Sequence, residues 1–278
     1  MKARRLGAVA AAATLALTLA ACGSSDSGGN AGSSGGKGLK IGIKFDQPGL
    51  GLKKGTEFTG MDVDVAKYVA KSLGTAEGDI TWVQAPSAQR ETLISTGQVD
   101  MVVATYSITD ARKEKVSFAG PYFIAGQDLL VRADDSSITG PDTLKGKKLC
   151  SVTGSTSAQK VKEKVPDVNL QEFGTYSECV AALASGAIDA LTTDDTILAG
   201  YAAQDQYKGK LKVVGQPFST ENYGIGIKKG DTAMCQKITD AIKTMISDGS
   251  WQKAVDANLG PAGYKPGAGN PPTPASCS

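Results

Sequence analysis

The sequence predicts an α/β protein built as two similar lobes joined by two crossing strands. Three observations carry this. From residue 39 onward, short apolar runs alternate with helical patterns in the order β-α-β-α-β, and the same order restarts near residue 147. Two phrases, "LISTGQVDMVVAT" (93–105) and "LASGAIDALTTD" (183–194), each join a helix end, a glycine and a strand that opens on a Val/Ile-Asp pair. Finally, two extended stretches, "GPYFIAGQDLLVRADD" (120–135) and "ENYGIGIKKGD" (221–231), lie between and after the repeats. They are placed to carry the chain across and back.

Taken in order, "LKIGIK" (39–44) alternates as a strand does, and "GMDVDVAKYVAKSLG" (60–74) is a helix. Val63, Ala66, Val69, Ala70 and Leu73 share one face of it, and Gly74 stands where a helix commonly ends on glycine. "DITWVQA" is a strand, "SAQRETLISTG" a helix and "VDMVVAT" a strand. In the second repeat "KKLCSVTG", "VNLQEFG" and "AIDALTT" are strands, and "STSAQKVKEKV" and "TYSECVAALASG" helices. The closing pattern "TAMCQKITDAIKTMISDGSWQKAVDANL" (232–259) reads as one long helix. The expected division is lobe I, 39–122 with 223–260; lobe II, 123–222, holding both crossing strands; and a Pro/Gly-rich tail, 261–278.

Residues 1–21 are read as an export signal: the basic "MKARR", then a short apolar run ending in small residues. That run is shorter than the roughly 20 residues a spanning helix needs. Leu19-Ala20-Ala21-Cys22 resembles a lipobox, which implies cleavage before Cys22 and a lipid on its sulfur. Residues 22–38 are a Gly/Ser tether, whose flexible part reaches roughly 20–25 Å in root-mean-square terms. The expected location is therefore extracytoplasmic, anchored by lipid to the outer face of the cell membrane.

Composition excludes several chemistries. The chain has 30 Lys+Arg against 28 Asp+Glu; loss of the signal removes Lys2, Arg4 and Arg5 and no acid, leaving 27 against 28. A near-neutral balance gives no support for nucleic-acid binding. With no histidine, a Ser-His-Asp triad, a His-ligated metal and His acid-base work are excluded. No Walker or dinucleotide glycine pattern is present, so no cofactor is implied.

Besides Cys22 there are Cys150, Cys179, Cys235 and Cys277, an even number in an exported chain, which argues for two disulfides out of three possible pairings. The spacings contain no zinc knuckle. Element placement selects Cys150–Cys179, on a strand and helix of one layer, and Cys235–Cys277, which would pin the tail to a helix of the first lobe.

The candidate site follows from strand ends, because open α/β sheets bind ligands at the carboxyl ends of their strands. Ser107, Ser155 and Asp194 sit at such ends. Arg112 offers a planar fork that matches a carboxylate, following the polar cluster Thr105, Ser107 and Thr109; read alone, it better suits a solvated helix start. Gly154-Ser155-Thr156-Ser157 opens a helix whose amides favour an anion, and plain capping by a serine explains the same residues. Asp194 can take an ammonium, or Asp194 and Asp195 can share a capping role. Lys44 closes the first strand as a second cation. One carboxylate, one ammonium and a further anion describe an acidic α-amino acid.

The ordered motifs "GMDVDVAKYVA", "TGQVDMVVATYSITDAR", "LKGKKLCSVTGST", "GAIDALTTDDTIL", "NYGIGIKKGD" and "DGSWQKAV" resemble the family-3 solute-binding proteins of polar amino-acid ABC importers. "IKFDQPGLGL", "PSAQRETLI" and "CSVTGSTSAQKVK" look most like the glutamate-binding lipoproteins of its actinobacterial branch. The resemblance implies a bilobed periplasmic-binding-protein fold of type II, acting as a monomeric receptor that closes on L-glutamate and delivers it to ABC permease subunits, without catalysis. It also implies that Arg112 grips the α-carboxylate, that Ser107, Thr105, Ser155 and Thr156 supply hydroxyls and amides, and that Asp194 holds the α-ammonium. The chain departs from its relatives at Lys44, where many carry an acid, and at Gln47 and Ser87, where some carry an aromatic. The first departure favours an anionic side chain, which Lys44 would contact; the others remove the usual stacking floor. The same receptor role for aspartate, glutamine or asparagine, and a dehydratase-like enzyme on this fold, are the rival readings.

Overall fold

The computed structural model of the protein describes residues 38–277. The export signal, Cys22 and the tether up to residue 37 lie outside the described residues. The chain opens with β1 (Leu39–Ile43), then three short strands, β2 (Asp46–Gln47), β3 (Gly51–Lys54) and β4 (Glu57–Thr59). Helix α1 (Met61–Ser72), β5 (Ile80–Gln84), α2 (Arg90–Ser95), β6 (Met101–Val102), the single turn α3 (Asp110–Lys113) and β7 (Val116–Ala125) follow. The second repeat comprises β8 (Gln127–Arg132), β9 (Lys148–Val152), α4 (Thr156–Lys164), β10 (Asn169–Phe173), α5 (Tyr176–Ala184), β11 (Ala190–Asp194), α6 (Asp195–Ala202) and β12 (Leu211–Val213). The chain then returns through β13 (Glu221–Lys228), α7 (Thr232–Ser247) and α8 (Ser250–Asn258).

Two five-stranded sheets result, in the orders β5-β1-β6-β13-β7 and β10-β9-β11-β8-β12. In each, the strands of the β-α-β units run parallel; one connecting strand (β13 or β8) pairs antiparallel to them, and the edge strand (β7 or β12) pairs antiparallel to that one. The chain crosses between sheets at Gly126, between β7 and β8, and again between β12 and β13. Helix α1 forms because a stripe of Val63, Ala66, Val69 and Ala70 has the sheet to bury against, and Gly74, at φ 85°, accepts the left-handed turn that ends it. Helix α5 starts on a reciprocal cap between Thr175 and Glu178.

The structure departs from the sequence reading in three places. The long closing helix is two, broken at Gly249, whose φ of 78° no helix interior accommodates. The "VDMVVAT" strand pairs only at Met101–Val102, because the chain turns away below it. The three-stranded sheet β2-β3-β4 was not expected; its strands are too short to show a period.

Cys150 is disulfide-bonded to Cys179 and Cys235 to Cys277, with Cα atoms 5.7 and 5.9 Å apart. The tail follows the outer edge of β7. The side-chain amide of Asn270 donates to the Ile124 carbonyl (2.7 Å) and its oxygen accepts from the Ile124 N–H (3.0 Å), while Ala275 N–H donates to the Gly120 carbonyl (2.9 Å).

Candidate functional site

Between the two sheets lies a narrow, largely closed cavity walled by Ser87, Arg90, Thr105 and Arg112 from one lobe and by Ser155, Thr156, Ser157, Tyr176, Asp194 and Ile197 from the other. The lobes meet around it. Arg112 donates to the Gly154 carbonyl across the gap (3.1 Å), Ser107 Oγ lies 3.3 Å from Thr156 Oγ1, and Asp46 accepts from Ser177 N–H (3.2 Å) and Tyr201 O–H (3.1 Å). A β-carbon on Gly200 would stand 2.2 Å from the Pro48 carbonyl oxygen of the facing lobe. Gly200→Ala should therefore hinder closure. An apparent affinity reduced on the order of tenfold, with the thermal midpoint unchanged, is the expected result of a smaller closed population; unchanged affinity would show that closure does not bring these elements so near.

Three cations converge on this cavity. Arg112, 8% exposed, donates to the Ser107 carbonyl (2.8 Å), and its Nε is 3.4 Å from a Glu91 carboxylate oxygen. Its position follows from a short helical turn in which Thr109 Oγ1 accepts from the Arg112 N–H at 3.3 Å. Arg90, 3% exposed, opens α2 and donates to Ser87 Oγ at 3.0 Å; its Nε has no partner among the described residues. Burial and the neighbouring charge of Arg112 both hold Arg90 below the usual arginine range. The two guanidinium carbons each lie 4.9 Å from the centroid of the Tyr106 ring, which shares the load of both charges. Lys44 donates to the same Ser87 Oγ (3.1 Å), and burial, reinforced by Arg90, lowers its pKa to about 7.

The acid on the opposite wall is Asp194. It is the last residue of β11 and stands at the N-cap of α6, yet its side chain makes no capping bond: Asp195 instead accepts from its own neighbour Thr196 N–H and from Gly126 N–H. Asp194 accepts from Tyr223 O–H (2.6 Å) and from Ser157 Oγ (3.4 Å). Burial, with Glu221 adding to it, raises its pKa from 3.8 to about 8. A carboxyl raised this way gives up its proton at a higher pH in the empty folded protein than in the unfolded chain. The native state then binds more protons, so stability falls as pH rises from the unfolded pKa to the folded one. Asp194→Asn, which has no such proton, should gain on the wild type between pH 5 and pH 8, by up to the order of 1 kcal/mol per pH unit. Urea unfolding at the two pH values checks it; a constant difference would show an ionised carboxylate throughout.

The residues singled out in the sequence fall into two layers. Arg112, Asp194, Thr105, Ser155, Thr156 and Ser87 line the cavity. Ser155 also caps α4 through Ala158 N–H (3.0 Å). Lys44, Gln47 and Ser107 stand one layer back. Lys44 reaches Ser87; Thr105 Oγ1 lies 3.2 Å from Gln47 Oε1; and Ser107 meets Arg112 by its carbonyl. Arg90, Ser157, Tyr176 and Ile197 were not singled out. Arg90 reads locally as the first residue of a helix, and only its burial beside Ser87 marks it. Tyr176 supplies an aromatic wall from the second lobe, where Gln47 and Ser87 had suggested none. A wider groove between α1 and α8, lined by Tyr68, Met245 and Ala254, contains none of the described buried polar atoms that lack a partner.

Two α/β lobes that shut on a small polar cavity, held by charged groups from both sides, define a solute-binding protein rather than a scaffold. Residues 39–261 match the bacterial extracellular solute-binding proteins, family 3, and the chain belongs to that family. It is 50% identical over 269 residues to the glutamate-binding protein GluB of Corynebacterium efficiens, covering 92% of this chain and 91% of that protein. It is 37% identical to the glutamine-binding protein GlnH of Bacillus subtilis, covering 85% of this chain and 90% of that one. Among solved structures, an ancestral arginine-binding protein bound to glutamine superposes with a TM-score of 0.74 at 34% identity, covering 80% of this chain and 97% of the other.

Proposed function

We propose that the protein is a receptor for L-glutamate, anchored outside the cell by a lipid on Cys22, that passes its ligand to an ABC permease. One observation carries the choice of ligand: three buried cations, Lys44, Arg90 and Arg112, gather on one side of a cavity that has Asp194 on the other. Buried charge without a counter-charge is costly. Among the described residues only Arg112 of the three has a carboxylate within ion-pair distance, Glu91 at 3.4 Å, so a ligand with two carboxylates supplies further partners, and its ammonium favours the ionised form of Asp194. Arg112 takes the α-carboxylate, Asp194 the ammonium, and the Arg90–Ser87–Lys44 group the side-chain carboxylate. The names of GluB and GlnH, the two relatives reported above, agree with an acidic or amide amino acid. The receptor works as a monomer by closure alone: lobes 39–122 with 223–260 and 123–222 swing about the crossing strands, and contacts from both sides favour the closed state. The bound amino acid leaves unchanged.

Calorimetric titration with each of the twenty amino acids tests this. L-Glutamate should bind most tightly, with glutamine and aspartate weaker. Tighter binding of glutamine, asparagine or aspartate would replace the ligand; no binding at all would remove the receptor reading.

A further inference from the structure

Thr105 is the one non-glycine described residue with a positive φ, 46°, and it lies on the cavity wall. A β-branched side chain is poorly tolerated in that conformation, so the surrounding structure has to impose it. The restraint is visible. Thr105 N–H donates to Asp62 Oδ2 at 2.9 Å, and the other oxygen of Asp62 accepts from Tyr122 O–H at 2.7 Å. Asp62 and Tyr122 are 0% and 1% exposed. Asp62 is itself fixed: it sits in the first turn of α1, where the helix dipole favours a carboxylate, and its N–H donates to the Leu50 carbonyl at 3.1 Å. The next residue, Tyr106, is the ring against which both Arg90 and Arg112 rest. The turn at Thr105 therefore sets two things together: the polar face shown to the cavity and the seat of the two guanidinium groups.

We infer that Asp62 is a positioning residue for ligand binding, holding Thr105 in the left-handed conformation that shapes the cavity. Asp62 touches no ligand. It acts through a backbone hydrogen bond, with Tyr122 keeping its carboxylate in place. The inference rests on the receptor reading for its affinity readout, and on backbone geometry alone for its conformational one.

A double-mutant cycle separates positioning from simple structural support. Asp62→Ala releases Thr105, and affinity for L-glutamate should fall roughly five- to a hundredfold, the equivalent of the strain a non-glycine residue stores there. In the Thr105→Gly background the same change should weaken binding by less than about threefold, since glycine adopts positive φ freely. Asp62→Asn, whose amide oxygen still accepts from Thr105 and whose NH2 can donate to Tyr122, should recover most of the loss. Equal losses in both backgrounds, or an Asn variant as weak as the Ala variant, would overturn the inference. Should Asp62→Ala fail to fold, Tyr122→Phe removes half the restraint and is measured in the same two backgrounds, with a smaller loss expected only where Thr105 is present. A crystal structure of Asp62→Ala or Tyr122→Phe gives the readout that needs no ligand: Thr105 should return to negative φ in the former and become mobile or mixed in the latter. Retention of φ near its present value in both sinks the inference whatever the protein binds, whereas a wild type that binds no amino acid sinks the receptor reading alone.

Discussion

Arg112→Ala should abolish measurable binding of L-glutamate while the protein remains folded. Removing one member of a buried, hydrogen-bonded charge pair costs about 2–5 kcal/mol, thirtyfold and upward in affinity. The structure adds a second loss. The Arg112 guanidinium also spans the lobes to the Gly154 carbonyl (3.1 Å), so its removal weakens the closed state as well as the ligand contact. Stability should suffer less, because two of its partners are carbonyl oxygens near the cavity that water can reach once the side chain is gone. Titration and thermal unfolding of the same sample check both halves. A folded variant that binds glutamate within threefold of wild type would remove Arg112 from the site.

The choice between glutamate and glutamine should depend on Arg90 more than on Lys44. Both donate to Ser87 Oγ, at 3.0 and 3.1 Å, but Arg90 lies on the cavity wall and its Nε has no partner among the described residues, whereas Lys44 stands behind Ser87. Arg90→Met keeps much of the stem and deletes the fork. Glutamate binding should fall by about 1.5–3 kcal/mol, the range for a hydrogen bond to a charged group, and glutamine binding by clearly less, so that discrimination narrows. Lys44→Met should act in the same direction and more weakly, through the loss of its bond to Ser87. Titrating both variants with both ligands gives the ranking. A larger effect at Lys44 would make it the residue that reads the side chain; equal losses for the two ligands would mean that neither does.

The contrast between these two residues shows where a sequence is legible. Lys44 drew notice because it ends an obvious strand, and Arg112 and Asp194 because they follow strands that a β-α-β rhythm points toward a cleft. Strand ends are local features, set by apolar runs and the small polar residues that stop them. Arg90 is the first residue of a six-residue helix in "PSAQRETLI", a place where arginines usually face water. Its burial depends on Tyr106 and Ser87 closing over it, and no period in the sequence encodes that. The same holds for Asp62. It sits in a helix whose apolar stripe is plain, yet its task is defined by the backbone angle of a residue 43 positions away. The small sheet β2-β3-β4 escaped notice for a different reason: strands of two to four residues are held by register with each other, not by a recognisable pattern of side chains.

The tail along β7 has a consequence for handling and for secretion. β7 is the last strand of its sheet, and an uncovered strand edge is a template on which another chain can add itself. Asn270 and Ala275 occupy backbone groups of that edge, and the Cys235–Cys277 bond keeps them there. The tail is thus a guard against self-association whose hold depends on an oxidising environment. Protein made in a reducing cytoplasm would hold its tail on β7 by those hydrogen bonds alone, and the edge would open to other chains more often.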